Sequence, residues 1–455
     1  MSPTRRIAAG LAGLLVLAAC GGGPAIPSPS VPASTPASVS PSTSADSGIG
    51  TVIPAPGSTS EVYAPNPAAL MIAVEPGHGG CLDWGVPDPF RRGEEYAEKT
   101  MTLGIAERLR DLLVAQEVEV LLLRDGDEAL AGDDYPDLGC TGPAWRDVDG
   151  DGRAGFEETG RVRTRDELQA RIDRANLARA DILLSIHINS ITEDGVVYEI
   201  AATQTFYDDE TPWGPGASGP LAEAIQADVV AALEPVADYE RQDRGTDAVA
   251  YYAVSRGWQD GDTCETAGDT WCKPHRAIQM PGVLSEVGSI TLRAEQDLLS
   301  DDAGQTAVAT GLYQGIVTYL AHRELAVRYD LPGATEPVPA RDGPLEQAWI
   351  LPGGEVELVL TNRGTEVWPA NLQLVAGWEA SELPYLASAP ERLDELPVDV
   401  PSLVPGEAVR LLVPLSAPAG AERQIGWISL KGPNGTWAEF GSPPAQVANM
   451  GLSAG

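Results

Sequence analysis

The chain has 455 residues, with 30 Lys and Arg against 66 Asp and Glu, a formal net charge of −36 and a pI near 4.3. A polyanion of this size argues against nucleic acid as a partner and against electrostatic docking on anionic lipid, since both select cations. Only four histidines are present, so any that serve catalysis are a large share of the supply.

Arg5 and Arg6 precede an apolar run over 7–16, the pattern of a secretion signal and too short to span a bilayer. Leu17-Ala18-Ala19-Cys20 follows and resembles a bacterial lipobox, which implies cleavage before Cys20 and a lipid on its sulfur. The expected product is an extracytoplasmic, membrane-anchored lipoprotein that touches the membrane through its lipid alone. Residues 21–65 are Gly, Pro, Ser, Thr and Ala with almost no large apolar side chain. Such a stretch buries too little surface to offset its ordering entropy, so a disordered tether is expected. Its flexible-coil reach is on the order of 40 Å, enough to lift a domain towards a cell wall.

Residues 66–327 alternate strand and helix signals. Strands are expected at 70–74, 118–123, 182–186 and 283–287. Helices are expected at 97–115, with Leu103, Ala106, Leu109 and Leu113 on one face, and at 165–179, 218–233 and 303–320. This β-α-β order predicts an α/β domain, a mostly parallel twisted sheet flanked by helices, with ligands gathering at the carboxyl ends of its strands. His78, His187 and Glu286 all fall at or just past such an end. Two imidazoles and one carboxylate form a zinc set with a coordination position left open, and a further carboxylate nearby can act as general base.

Two insertions interrupt the alternation, at about 129–163 and 255–279, and both should emerge at the catalytic rim and shape access to it. The first contains Asp147-Val-Asp149-Gly-Asp151-Gly152-Arg153-Ala-Gly-Phe-Glu-Glu158. That is the spacing of a twelve-residue calcium loop: acids at positions 1, 3, 5 and 12, Gly at 6 for the sharp turn, and the Arg153 carbonyl at 7. No clear helix precedes it, so a structural calcium that stiffens the insertion is expected rather than a paired sensor. The first insertion holds Cys140 and the second Cys264 and Cys272, while Cys81 lies outside both, directly after the His78 block. Four cysteines in an oxidising compartment suggest two disulfides, and three pairings are open. We expect Cys264–Cys272 as a short loop and Cys81–Cys140 as a long one. His275, in the second insertion, reads as a solvated loop residue, and His322 as structural.

A proline-rich connector at 328–343 leads to short strand signals at 356–361, 372–378, 409–414 and 424–430. Residues 344–450 are therefore expected to form an all-β sandwich. Its Trp349, Trp368, Trp378, Trp427 and Trp437 read as core packing. Asn362-Arg-Gly-Thr-Glu-Val-Trp368-Pro369 resembles the immunoglobulin-like four-tryptophan modules, which implies a binding or spacing role. What the module touches is not legible in the sequence.

Five ordered blocks cover nearly all of 70–320: Pro76-Gly-His78-Gly-Gly, Glu98-Lys-Thr-Met-Thr-Leu103, Arg171-x-x-x-Ala-Asn176, Ala180-Asp-Ile-Leu-Leu-Ser-Ile-His187-Ile-Asn189, and Pro281-Gly-Val-Leu-Ser-Glu286-Val-Gly. Together they resemble the zinc-dependent N-acetylmuramoyl-L-alanine amidases. The resemblance implies a six-stranded α/β fold, zinc on His78, Glu98 and His187, and Glu286 as the catalytic glutamate. It implies hydrolysis of the amide between N-acetylmuramic acid and L-alanine in peptidoglycan. Asn189 is a candidate to orient a ligand or substrate. Glu75 departs from the family, which usually has Asp before the Pro-Gly-His, and this puts a supporting role for that residue in doubt. Two other functions stay open here: a non-catalytic peptidoglycan-binding lipoprotein, and a zinc peptidase cutting within the stem peptide.

Overall fold

The computed structural model describes residues 60–63, 70–80, 83–86, 88–131, 148, 165–193, 196–255, 276–332, 355–381, 386, 389–415, 418, 424–434 and 437–449. Cys20, all four remaining cysteines, His275, Trp349 and every calcium-loop position except Val148 lie outside them.

In chain order the elements are β1 (Ser60–Tyr63), β2 (Met71–Pro76), α1 (Glu98–Val114), β3 (Glu119–Leu122), α2 (Arg165–Leu177) and β4 (Ile182–Asn189). A short hairpin of β5 (Thr192–Glu193) and β6 (Val196–Val197) precedes β7 (Ala201–Tyr207), α3 (Gly219–Leu233), β8 (Arg241–Ala248) and β9 (Gly282–Ser289). Then come α4 (Arg293–Ser300), α5 (Asp302–Ala321), β10 (Val327–Asp330), β11 (Glu355–Asn362) and β12 (Leu372–Ala380). The last strands are β13 (Asp394–Val400), β14 (Ala408–Pro414), β15 (Gln424–Lys431) and β16 (Ala445–Asn449).

The first sheet has six strands in the order β3-β2-β4-β9-β7-β8. The four from β3 to β9 are parallel, whereas β7 runs antiparallel to β9 and parallel to β8. The sheet is therefore mixed. No helix separates β4 from β7, and a strand that returns without a crossover returns antiparallel.

Alternation sorts the side chains. Ile72 and Val74, Ile182, Leu184, Ile186 and Ile188, and Val283 and Val287 share one core with residues of α1, α3 and α5. The opposite face carries Ala73, Leu183 and Leu284, which pack with Ile172 and Ala175 of α2. The same parity continued towards the carboxyl ends gives Glu75, Ser185, His187 and Glu286, so three adjacent strands deliver polar groups to one place. On α1 the buried stripe is Met101, Ile105, Ala106, Leu109 and Leu113. Leu103 is only half-buried, so the inward face is rotated from the one expected. Helix α5 is capped by Asp301, whose carboxylate accepts the Ala303 amide at 2.9 Å.

Two four-stranded antiparallel sheets, β1-β14-β11-β10 and β13-β12-β15-β16, share a second core that includes Tyr329, Leu358, Trp368, Leu374, Leu411 and Ile428. Trp368 and Trp427 are fully buried, in accord with core packing. Two boundaries differ from expectation. Ser60–Tyr63, assigned by composition to the tether, adds a strand to β14, because Val62 and Tyr63 are β-favouring residues in an otherwise small and polar stretch. The connector begins later than 328, since Val327–Asp330 pairs with β11. Arg323 joins the two folds, donating to the Phe440 carbonyl at 3.0 Å and Ser442 Oγ at 2.8 Å. Among the described residues no helix is long and apolar enough to cross a membrane.

Candidate active site

His78 follows β2 in a left-handed conformation (φ 63°), and Gly79 and Gly80 continue with positive φ. A non-glycine residue there is uncommon and signals a backbone held by its surroundings. Two buried arginines hold it. Arg124 donates to the carbonyls of Pro76 at 2.9 Å and Gly77 at 3.0 Å. Arg171 donates to the carbonyls of Pro76 at 3.0 Å and His78 at 2.8 Å, and pairs with Glu75 and Glu167. Lys99 donates to the Gly80 carbonyl at 3.0 Å and Asp127 at 2.6 Å.

Glu98, at the start of α1, is 2 % exposed. Its Oε2 accepts the Val86 amide at 2.8 Å and its Oε1 accepts the Ile188 amide at 2.9 Å. The same carboxylate faces both imidazoles: His78 Nε2 is 3.3 Å from Oε2 and His187 Nδ1 is 3.1 Å from Oε1. The two rings meet edge to face, centroids 4.8 Å apart. Ligand atoms from His78, Glu98 and His187 all lie within 4.8 Å of one another, the one such group among the described residues. Glu286 is the register partner of His187 on β9. Its Oε2 is shielded from solvent and has no hydrogen-bond partner among the described residues.

The electrostatics follow from this crowding. Burial disfavours charge on His187, but Glu75 and Glu98 overcome it and push the imidazole up to about 9. His78 is likewise raised well above its ordinary value, against burial, by Glu98 and Asp83. Burial would raise Glu98, yet the two histidines hold it below the usual carboxylate range. Glu286 is pushed up to about 7, mainly by burial, with His187 opposing and Glu98 adding. A carboxyl near neutrality can both take and return a proton.

All four principal residues expected from sequence thus converge. Asn189 sits two residues beyond His187 on the same face of β4, half-buried, its carbonyl accepting the Ile290 amide at 2.9 Å. Of the calcium loop, Val148 alone is described; Asp166 accepts its amide at 2.7 Å and Arg276 donates to its carbonyl at 2.8 Å. The sequence reading missed Asp83, whose Oδ1 is 2.9 Å from His78 Nδ1. An acid five residues past the histidine in a glycine-rich loop was the available signal. It also doubted Glu75, which pairs with Arg171, accepts from Ser185 Oγ and lies 3.5 Å from His187 Nε2.

Residues 72–318 match the family model described as N-acetylmuramoyl-L-alanine amidase. Over 254 residues the chain is 25% identical to the germination-specific N-acetylmuramoyl-L-alanine amidase of Bacillus subtilis (strain 168), spanning 56% of this chain and 81% of that one. It is 23% identical over 248 residues to the uncharacterized protein YqiI of the same organism, spanning 54% and 84%. Among solved structures, the CwlD amidase from Clostridioides difficile in complex with the GerS lipoprotein aligns with 22% identity and a TM-score of 0.37, covering 55% of this chain and 98% of that one.

Proposed function

The chain belongs to the N-acetylmuramoyl-L-alanine amidase family over residues 72–318, and we propose that it works through a zinc centre on His78, Glu98 and His187. It is a peptidoglycan hydrolase that cleaves the amide between N-acetylmuramic acid and L-alanine. The observation that carries the zinc reading is the convergence of two imidazoles and a carboxylate beside an unpaired, buried glutamate oxygen. Nitrogen and carboxylate donors of this kind suit zinc, and three protein ligands leave a position for water or substrate.

When bound, zinc acidifies a water and polarises the amide carbonyl. Glu286 Oε2 takes the proton of the attacking water and later gives it to the departing L-alanine amine, which an amide needs because the free amide anion is a poor leaving group. Glu98, anchored by two backbone amides, keeps the imidazoles from drifting apart. Asn189, two residues beyond His187 on β4, is our candidate to orient substrate.

Digestion of purified peptidoglycan tests the reading. Free muramic lactyl ends and new L-alanine amino termini, lost in Glu286→Gln with metal retained, support it. New termini inside the stem peptide identify a peptidase, and no digestion identifies a binding protein. Calcium on Asp147, Asp149, Asp151, Arg153 and Glu158 is supported by their spacing; terbium titration of wild type against Asp149→Ala tests it, with equal weak binding by both as the refuting result. The lipobox at Cys20 supports an extracytoplasmic, lipid-anchored enzyme, and mass spectrometry of the mature amino terminus checks it. The sandwich supports an immunoglobulin-like binding or spacing role.

A further inference from the structure

We infer that the two imidazoles present opposite ring nitrogens to the metal position, His78 its Nε2 and His187 its Nδ1, each held by its own carboxylate: Asp83 for His78 and Glu75 for His187. The inference rests on the zinc reading above.

A metal takes the ring nitrogen that carries the lone pair, and the other nitrogen, bearing hydrogen, needs an acceptor. His78 Nε2 faces Glu98 at 3.3 Å while its Nδ1 lies 2.9 Å from Asp83 Oδ1. His187 is turned the other way: Nδ1 faces Glu98 at 3.1 Å and Nε2 lies 3.5 Å from Glu75 Oε2. Glu98 therefore divides its two oxygens between unlike nitrogens. Both supporting carboxylates are fixed independently of the rings. Asp83 is placed by a loop that folds back on itself, Gly79 N donating to the Asp83 carbonyl at 2.9 Å, and its side chain accepts the Gly85 amide at 3.3 Å. Glu75 is 1 % exposed, pairs with Arg171, and accepts from Ser185 Oγ at 2.5 Å. An aspartate at this position would end about 1.5 Å short, one carbon–carbon bond, so glutamate is what lets one carboxylate reach Arg171, Ser185 and the His187 ring. Gly77 leaves room for the turned ring: a Cβ there would lie 2.5 Å from His187 Cε1. Asp83 and Glu75 are positioning residues, acting through the histidines.

Loading the full chain with cadmium-113 tests this by heteronuclear coupling. A ring bound through Nε2 couples to both of its carbon-bound protons, whereas one bound through Nδ1 couples strongly only to the Cε1 proton. The expected result is the first pattern for His78 and the second for His187, assigned with His78→Gln and His187→Gln. The same pattern on both rings overturns the inference, and no coupling on either ring overturns the zinc reading itself. Asp83→Asn and Glu75→Gln should each weaken zinc binding by about 10–100-fold in chelator competition with far-UV circular dichroism unchanged. Asp83 lies on a loop, so its variant reports even if Glu75→Gln does not fold. Asp83→Asn binding zinc within about twofold of wild type would count against the inference.

Discussion

His187 and Glu286 are register partners across β4 and β9, side by side on one face of the sheet. The imidazole proposed to hold zinc and the carboxylate proposed as acid–base are thereby set by strand pairing, and a one-residue slip would turn one of them to the opposite face.

Because Glu286 Oε2 has no partner among the described residues, removing its charge should disturb chemistry and little else. Glu286→Gln is expected to lower the turnover of peptidoglycan by about 10²–10⁴-fold, the range for general acid–base groups. Metal content by elemental analysis and the unfolding midpoint should stay at wild-type values.

Proton release should accompany metal uptake. Against burial, Glu75 and Glu98 push His187 up to about 9 in the metal-free protein, so it carries charge at pH 7 and zinc must displace that proton. Calorimetry in buffers of different ionisation heat should show at least about one proton released per zinc at pH 7. Apparent affinity should climb as pH rises towards 9. The sign for the metal-free fold is opposite. Raised histidine pKa values stabilise it fully below the ordinary value of 6.5, and that contribution is lost as pH rises through about 9. Denaturant midpoints with and without zinc should diverge with increasing pH.

Gly77→Ala would place a methyl 2.5 Å from the His187 ring. The ring must move, so zinc affinity is expected to fall by on the order of tenfold or more, with the sheet intact by circular dichroism. Wild-type affinity would show that the ring is not confined there.

Helices α3 and α5 approach closely because Gly315 has no side chain; a Cβ there would lie 2.7 Å from the Ile225 Cα. Gly315→Val is therefore expected to destabilise the fold by about 1–3 kcal/mol through overpacking. A urea midpoint checks this, and activity per folded molecule should be retained, since neither helix supplies a site residue.

The parts of this molecule that can be read from sequence are those whose residues answer to one environment. β2, β4 and β9 stand out because both faces are covered and the runs are nearly all apolar. β8, Arg-Gln-Asp-Arg-Gly-Thr-Asp-Ala, is an exposed edge, and its charges reveal nothing of pairing. β13 hides for the same reason, an acidic edge strand interrupted by Pro397. His78, Glu98, His187 and Glu286 are recognisable by type and block order. The second nitrogen of each histidine is not, because its partner depends on how the 79–85 loop folds back and on how far a glutamate reaches from β2. Arg124 behind the loop escapes for a related reason: it acts on the backbone carbonyls of Pro76 and Gly77, which leave no mark in the sequence.

β1 and β10 are the two outer strands of one sheet, and the whole of the six-stranded fold lies between them in the chain. The hydrolase is thus an insert with both ends sewn to the same small module. A pull applied on the amino-terminal side of Ser60 would have to unzip β1 from β14 before it reached β2 and the His78 loop.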